Sequence, residues 1–221
     1  MEILSNKARR YLEGMEKASY WSDFLNYKKA ICFVCLKEYD QAQILFQSAL
    51  INSHTDSEIW AISNQPDLLV DICLLSGEFD LVSKIHDELS GYIATRKELY
   101  YPDYYALILE SFSANFQEHV FENWVAKLLE KPSVKEGYEI GRIAQSMIAK
   151  NQSGFDVSLQ GLLRVHDNMA KRGGLRETPE GLFCLKAMSL AHYAIQMNLD
   201  VNYGNFFLPT EYLEYLLKNK T

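Results

Sequence analysis

The sequence predicts an all-α protein: an array of antiparallel helical hairpins, tetratricopeptide-like or an irregular α-solenoid, with a buried helix near the C-terminus. Three observations predict it. Apolar residues recur at helical spacing from Ser5 onward, strand-like alternation is scarce, and the breaks are short and rich in the Pro, Gly, Asn and Asp that supply turns and caps. With 48% hydrophobic and 13% aromatic residues over 221 positions, the chain can bury a core along its whole length. Residues 1–221 are expected to form one helical domain, with a sub-boundary near 97–103.

Taken in order, helices are expected near 5–17, 21–36 and 38–52, up to the break "NSHTDS". A short one near 57–63 ends at "NQPD", where Pro66 opens the next, near 66–76. "LSGEFD" then separates it from 78–90. "YYPDYY" precedes 103–115 and 117–131, "EKPS" precedes 133–150, and "NQSGFD" precedes 155–172. That helix ends in Lys171 and Arg172 before Gly173 and Gly174, a basic last turn followed by glycine, as helix C-termini favour. The helix near 179–197 is specified at its start by Thr178 as cap, Pro179 in the first turn and Glu180 at the positive end. Its Cys184, Met188, Ala191 and Ile195 share the core face, and Lys186, Ser189, Tyr193 and Gln196 form a narrow opposite strip. A last helix is expected near 210–218.

One repeat signal accompanies these helices. In "YKKAICFVCLKEYDQAQILFQSAL", Ala30, Phe33, Ala42, Phe46 and Ala49 stand where a tetratricopeptide repeat places its small and aromatic packing residues, and this hairpin resembles that repeat. Asn26, Lys29 and His54 depart from the pattern. A fainter copy, "GEFDLVSKIHDEL", carries Val82 in place of the packing Ala.

Catalytic and metal motifs are missing. His54, His86, His119, His166 and His192 never pair as H-x-x-x-H, and Cys32 and Cys35 form a C-x-x-C with no second pair to complete a zinc set. All four cysteines, with Cys73 and Cys184, sit in apolar helical patterns and read as reduced core residues. No Gly-rich phosphate loop or G-x-S-x-G is present. The expectation is a protein that is not an enzyme, with no cofactor and no metal. The start "MEILSNKARRYLEG" lacks the apolar stretch of a secretion signal and no apolar run reaches spanning length, so a cytoplasmic protein with no membrane contact is expected.

Charge is unevenly placed. The formal net is −7, yet residues 56–122 carry three Lys and Arg against thirteen Asp and Glu, a local net of −10. Such a segment argues against nucleic acid as a partner and suits a protein with a basic surface. Within it, "ELYYPDYYALILE" sets Glu98, Tyr100, Tyr101, Asp103, Tyr104 and Tyr105 around one Pro. Exposed tyrosines beside carboxylates form a surface that can receive Lys and Arg. Asp67, Asp71, Glu78, Asp80, Asp87 and Glu88 are expected to extend it; Asp67 and Asp71, four apart, share a helix face. These twelve residues are the candidate partner-binding set.

The stretch "PEGLFCLKAMSLAHYAIQMNL", followed by "DVN" and by "FLP" before a final helix, resembles the C-terminal part of the immunity protein 49 family of bacterial polymorphic toxin systems. The resemblance covers about the last third of the chain, through "SLQGLLRVHDNM" at Ser158 to Met169, and contains no invariant chemical motif. It implies an all-helical protein that binds a cognate toxin and neutralises it by occlusion. Two other readings stand beside it: a helical-repeat adaptor or peptide-binding regulator, from the Ala30-to-Ala49 hairpin, and a helical enzyme in which His166 and His192 meet acidic residues in a cleft.

Overall fold

A computed structural model describes residues 2–17, 26–53, 65–78, 98–113, 118–201 and 205–219. Among them the chain is helical throughout, with no strand. In order run α1 (Glu2–Lys17), α2 (Asn26–Leu36), α3 (Tyr39–Ser53), α4 (Pro66–Ser76), α5 (Tyr101–Ser113), α6 (Glu118–Leu129), α7 (Lys135–Ile148), α8 (Gln152–Arg172), α9 (Leu185–Gln196) and α10 (Thr210–Lys218). The expected helices near 57–63 and 78–90, apart from Glu78, lie outside the described residues, as does Val82.

From α1 to α8, helices consecutive in this series pack on one another in turn, which is the neighbour-to-neighbour order of a hairpin array. α9 breaks that order: it touches α4, α5, α7, α8 and α10. One apolar cluster accordingly runs from Ala8 on α1 to Leu216 on α10, with α4 and α9 deepest in it. The α2–α3 hairpin buries Ala30, Ala42 and Phe46 completely, as its repeat-like spacing requires. No helix among the described residues is long and apolar enough to cross a membrane.

Local signals set the ends. α8 starts on Asn151, whose side chain accepts a hydrogen bond from the Gly154 N–H at 3.0 Å. α4 ends on Gly77, left-handed at φ 83, with Gly77 N–H donating to Leu74 O and Glu78 N–H to Cys73 O. A Cβ there would stand 2.8 Å from Gln43 Nε2, which donates to Ser76 O. The α7–α8 turn needs the same backbone at Lys150, φ 49, without a glycine to supply it.

The start of the helix expected at 179 is corrected. Pro179–Gly181 form a single 3-10 turn, and α9 begins at Leu185. Thr178 does not cap; its hydroxyl donates to Leu175 O. Glu180, expected at a helix start, is instead held by the Tyr27 hydroxyl at 2.6 Å and Lys28 Nζ at 3.1 Å. Cys184 N–H donates to Phe207 O, so the backbone takes a tertiary bond where a continuous helix would have made its own.

Candidate functional site

The polar strip on α9 is the second correction, because all of it but the exposed Gln196 faces inward. Ser189 is fully buried and Tyr193 nearly so, and the Lys186 side chain is 17% exposed. What they meet comes largely from the acidic segment. Lys186 Nζ bonds Asp67 Oδ2 at 2.8 Å, and Ser189 donates to Asp71 Oδ1 at 2.6 Å. Tyr105 donates to that same oxygen at 2.5 Å, and Lys186 Nζ stands 5.4 Å from the center of its ring. Tyr101, one turn before Tyr105 on α5, donates to Glu136 of α7 at 2.6 Å. Four helices thus meet in one polar network around a single ammonium group.

Electrostatics follows from that enclosure. Burial alone would lower the Lys186 ammonium, but the carboxylates of Asp67, Asp71 and Glu136 more than offset it and hold it above its ordinary value. Burial raises Asp71 to about 7, against the opposing pull of Lys186, Ser189 and Tyr105. Burial likewise raises the Tyr105 and Tyr101 phenols, reinforced by their carboxylate partners.

The candidate partner-binding set therefore divides. Asp71, Asp103 and Tyr105 are each no more than 1% exposed, and Asp67 is paired with Lys186, so these four are interior groups and not a contact surface. The reason is a cation 119 residues away from Asp67, which lets an acidic helix face turn inward. Asp103 acts as a cap: its side chain accepts from Tyr100 N–H at 2.8 Å at the start of α5. Tyr101 is half-buried, with its hydroxyl turned to Glu136. Glu78 is exposed and accepts from Gln47 at 3.1 Å. Asp80, Asp87 and Glu88 lie outside the described residues.

Glu98 and Tyr100 remain exposed, and half-buried Tyr104 lies with them. With Leu99, Tyr101, Lys127, Leu128, Glu130, Lys131, Val134 and Gly137 they line a groove of about 500 Å³ between the start of α5 and the α6–α7 turn. Tyr100 is 59% exposed, the most exposed aromatic side chain among the described residues. Lys127 and Glu130 pair across one turn of the rim at 2.9 Å. Beneath them Gly137 brings α7 close enough that a Cβ there would stand 3.1 Å from Tyr101 Cβ. The floor is closely packed and the rim is polar.

The histidines are set in the core. His166 is 4% exposed, with its ring edge-on to Phe207 at 5.0 Å, and burial lowers it to about 4. His192 is 2% exposed and pairs with Gln196 at 2.6 Å. His54 and His86 lie outside the described residues, as does the side chain of His119. Cys32, Cys73 and Cys184 are buried free thiols and Cys35 a half-buried one. Burial raises Cys32, Cys35 and Cys184 to about 12, so these thiols stay protonated and unreactive at neutral pH. Among the described residues no group of three or more His, Cys, Asp or Glu is placed to hold a metal ion.

Lys186, Ser189 and Glu136 are the site residues that the sequence reading left out. The signal was present for two of them: a Lys and a Ser three apart on the polar strip of a helix that is otherwise mostly apolar. No family model, curated protein or solved structure matches the chain.

Proposed function

We propose that the chain is an immunity protein that binds a cognate toxin and neutralises it by occlusion, with the groove between α5 and the α6–α7 turn as its contact face. One observation carries the reading: exposed Tyr100, with Tyr104 and Glu98 beside it, stands on a floor fixed by the Tyr101–Glu136 and Asp103–Tyr100 hydrogen bonds. Large aromatic side chains already held in place lose little freedom on binding, which is what an interface anchor needs. The resemblance of residues 178–209 to the immunity protein 49 family gives the anchor its partner class. On this reading the toxin offers a basic surface, with its Lys or Arg side chains over the tyrosine rings and beside Glu98.

Growth of cells expressing the toxin encoded beside this chain's own gene tests the proposal. Co-expression of the chain restores growth if it neutralises; continued killing, with the chain soluble and abundant, contradicts it.

A second reading, a helical-repeat adaptor for peptides, is favoured by the consecutive packing of α1 to α8 and by the buried Ala30, Ala42 and Phe46. Its test is a peptide-library screen on the purified chain, in which an absence of binders removes it.

A further inference from the structure

The network beneath the groove carries more charge of one sign than its enclosure balances. Asp67, Asp71 and Glu136 bring three carboxyl groups to the one ammonium of Lys186. Glu136 is half-buried and bonded to Tyr101, and Asp67 is matched by Lys186 at 2.8 Å. Asp71 has neither solvent nor a cation of its own. Its Oδ1 takes both available hydroxyl donors, while Oδ2 is buried with no hydrogen-bond partner. A carboxylate so placed leaves one ionised oxygen desolvated, at a cost that one proton would remove.

The other groups around Asp71 do not change this balance. On its own helix stand Asp67 and the buried thiol of Cys73. α5 contributes Tyr105 and Tyr101, α7 contributes Glu136, and α9 contributes Lys186, Ser189 and the thiol of Cys184. From α8, His166 couples to Lys186, and burial keeps it neutral. α3 turns Tyr39 and Asp40 to Glu211 and Tyr215 of α10, and Tyr212 of α10 donates to Leu75 O.

We propose that Asp71 takes up and releases a proton inside the folded protein near neutral pH, and that this proton sets how firmly α9 is held against α4 and α5. Geometry gives the direction. With the proton on, the interior carries one negative charge fewer, and Oδ1 still accepts from Tyr105 and Ser189. With the proton off, closure of α9 keeps the bare Oδ2 charged and out of water, a cost that Lys186 and the Ser189 hydroxyl offset only in part. The raised position of Asp71, about 7, agrees with this. In sign, the folded state binds the proton more tightly than the unfolded chain, so the stabilisation is full below the ordinary Asp range and is lost as pH rises through about 7. Because Tyr101 and Tyr104 ride on α5, the groove above shares in the tightening.

Infrared titration of the intact chain from about pH 5 to about pH 9 tests the proposal, since a buried neutral carboxyl group has its own C=O band. In the unaltered protein that band fades with a midpoint near 7. Asp71→Asn loses it, and Ser189→Ala, which removes a donor to the charged form, moves the midpoint up by about one pH unit. Hydrogen exchange of the α9 amides, corrected for the intrinsic rate, is more protected at about pH 6 than at about pH 8 in the unaltered chain and equal at the two in Asp71→Asn. A band that titrates only in the ordinary carboxylate range, or the same exchange ratio in Asp71→Asn as in the unaltered chain, overturns the proposal. The wild-type titration needs no variant to fold.

Discussion

Lys186 holds the buried network together, and its removal exposes the cost of the carboxylates around it. Lys186→Met leaves Asp67, its side chain 14% exposed, and Asp71 with no counter-ion among the described residues. Breaking a largely buried pair from one side costs about 3–5 kcal/mol. Urea unfolding should show that loss, and Asp67→Leu in the same chain should recover the part due to Asp67, whose lone charge is then gone. His166 gives a pH prediction of opposite sign to that of Asp71. Burial lowers it to about 4 from an ordinary value of 6.5, so its neutral form stabilises the fold above that ordinary value, and the contribution is lost as pH falls toward 4. His166→Phe should therefore flatten the fall in Tm across that acid window. A pH profile in which variant and unaltered chain lose the same Tm would contradict the burial of an uncharged ring.

Elements were legible where their signals are local. Nine of the expected helices correspond to α1–α8 and α10, because spacing of apolar residues and the Pro, Gly and Asn at breaks act over one or two turns. The tenth, α9, was placed correctly as a buried helix but began six residues late. Glu180, expected at its start, was claimed by α2, and the Cys184 N–H by the 205–209 segment, partners that no local rule can see. The same reason hid the site: Asp67 and Asp71 do share a face, as their spacing said, but the face is closed by a lysine from the far end of the chain. Turn chemistry gives a paired prediction. Gly77→Ala forces a side chain into left-handed backbone and against Gln43, and should cost about 1–2 kcal/mol. Lys150→Gly, exposed and left-handed at φ 49, should gain about 0.5–1 kcal/mol. Thermal melts of the two variants should move in opposite directions.

At the scale of the whole molecule, α9 ties the array into one cooperative body. It touches helices from both halves of the chain, so a cavity in it should be felt everywhere. Met188→Ala, at a fully buried position, should cost about 2–5 kcal/mol, with circular dichroism and tryptophan fluorescence falling along the same curve. Two separated transitions would mean that the helices before and after the 79–97 segment fold apart. The charge pattern also reads differently at this scale. The net of −10 over residues 56–122 is real in sequence, yet Asp67, Asp71 and Asp103 turn inward and do not add to a steering surface. Among the described residues of that segment Glu78, Glu98 and Glu122 stay exposed, and Glu98 lies beside Tyr100 and Tyr104 at the groove.

Titration calorimetry of the chain against the product of the neighbouring large open reading frame, the toxin on the proposed reading, tests that face directly. The Tyr100→Ala/Tyr104→Ala chain should stay folded with a modest drop in Tm, since Tyr100 is exposed and Tyr104, half-buried against the core, makes no bond in the buried network. If the two rings are the proposed anchors, each worth about 2 kcal/mol, affinity should fall by at least a hundredfold. An unchanged Kd in the correctly folded double variant would contradict the account.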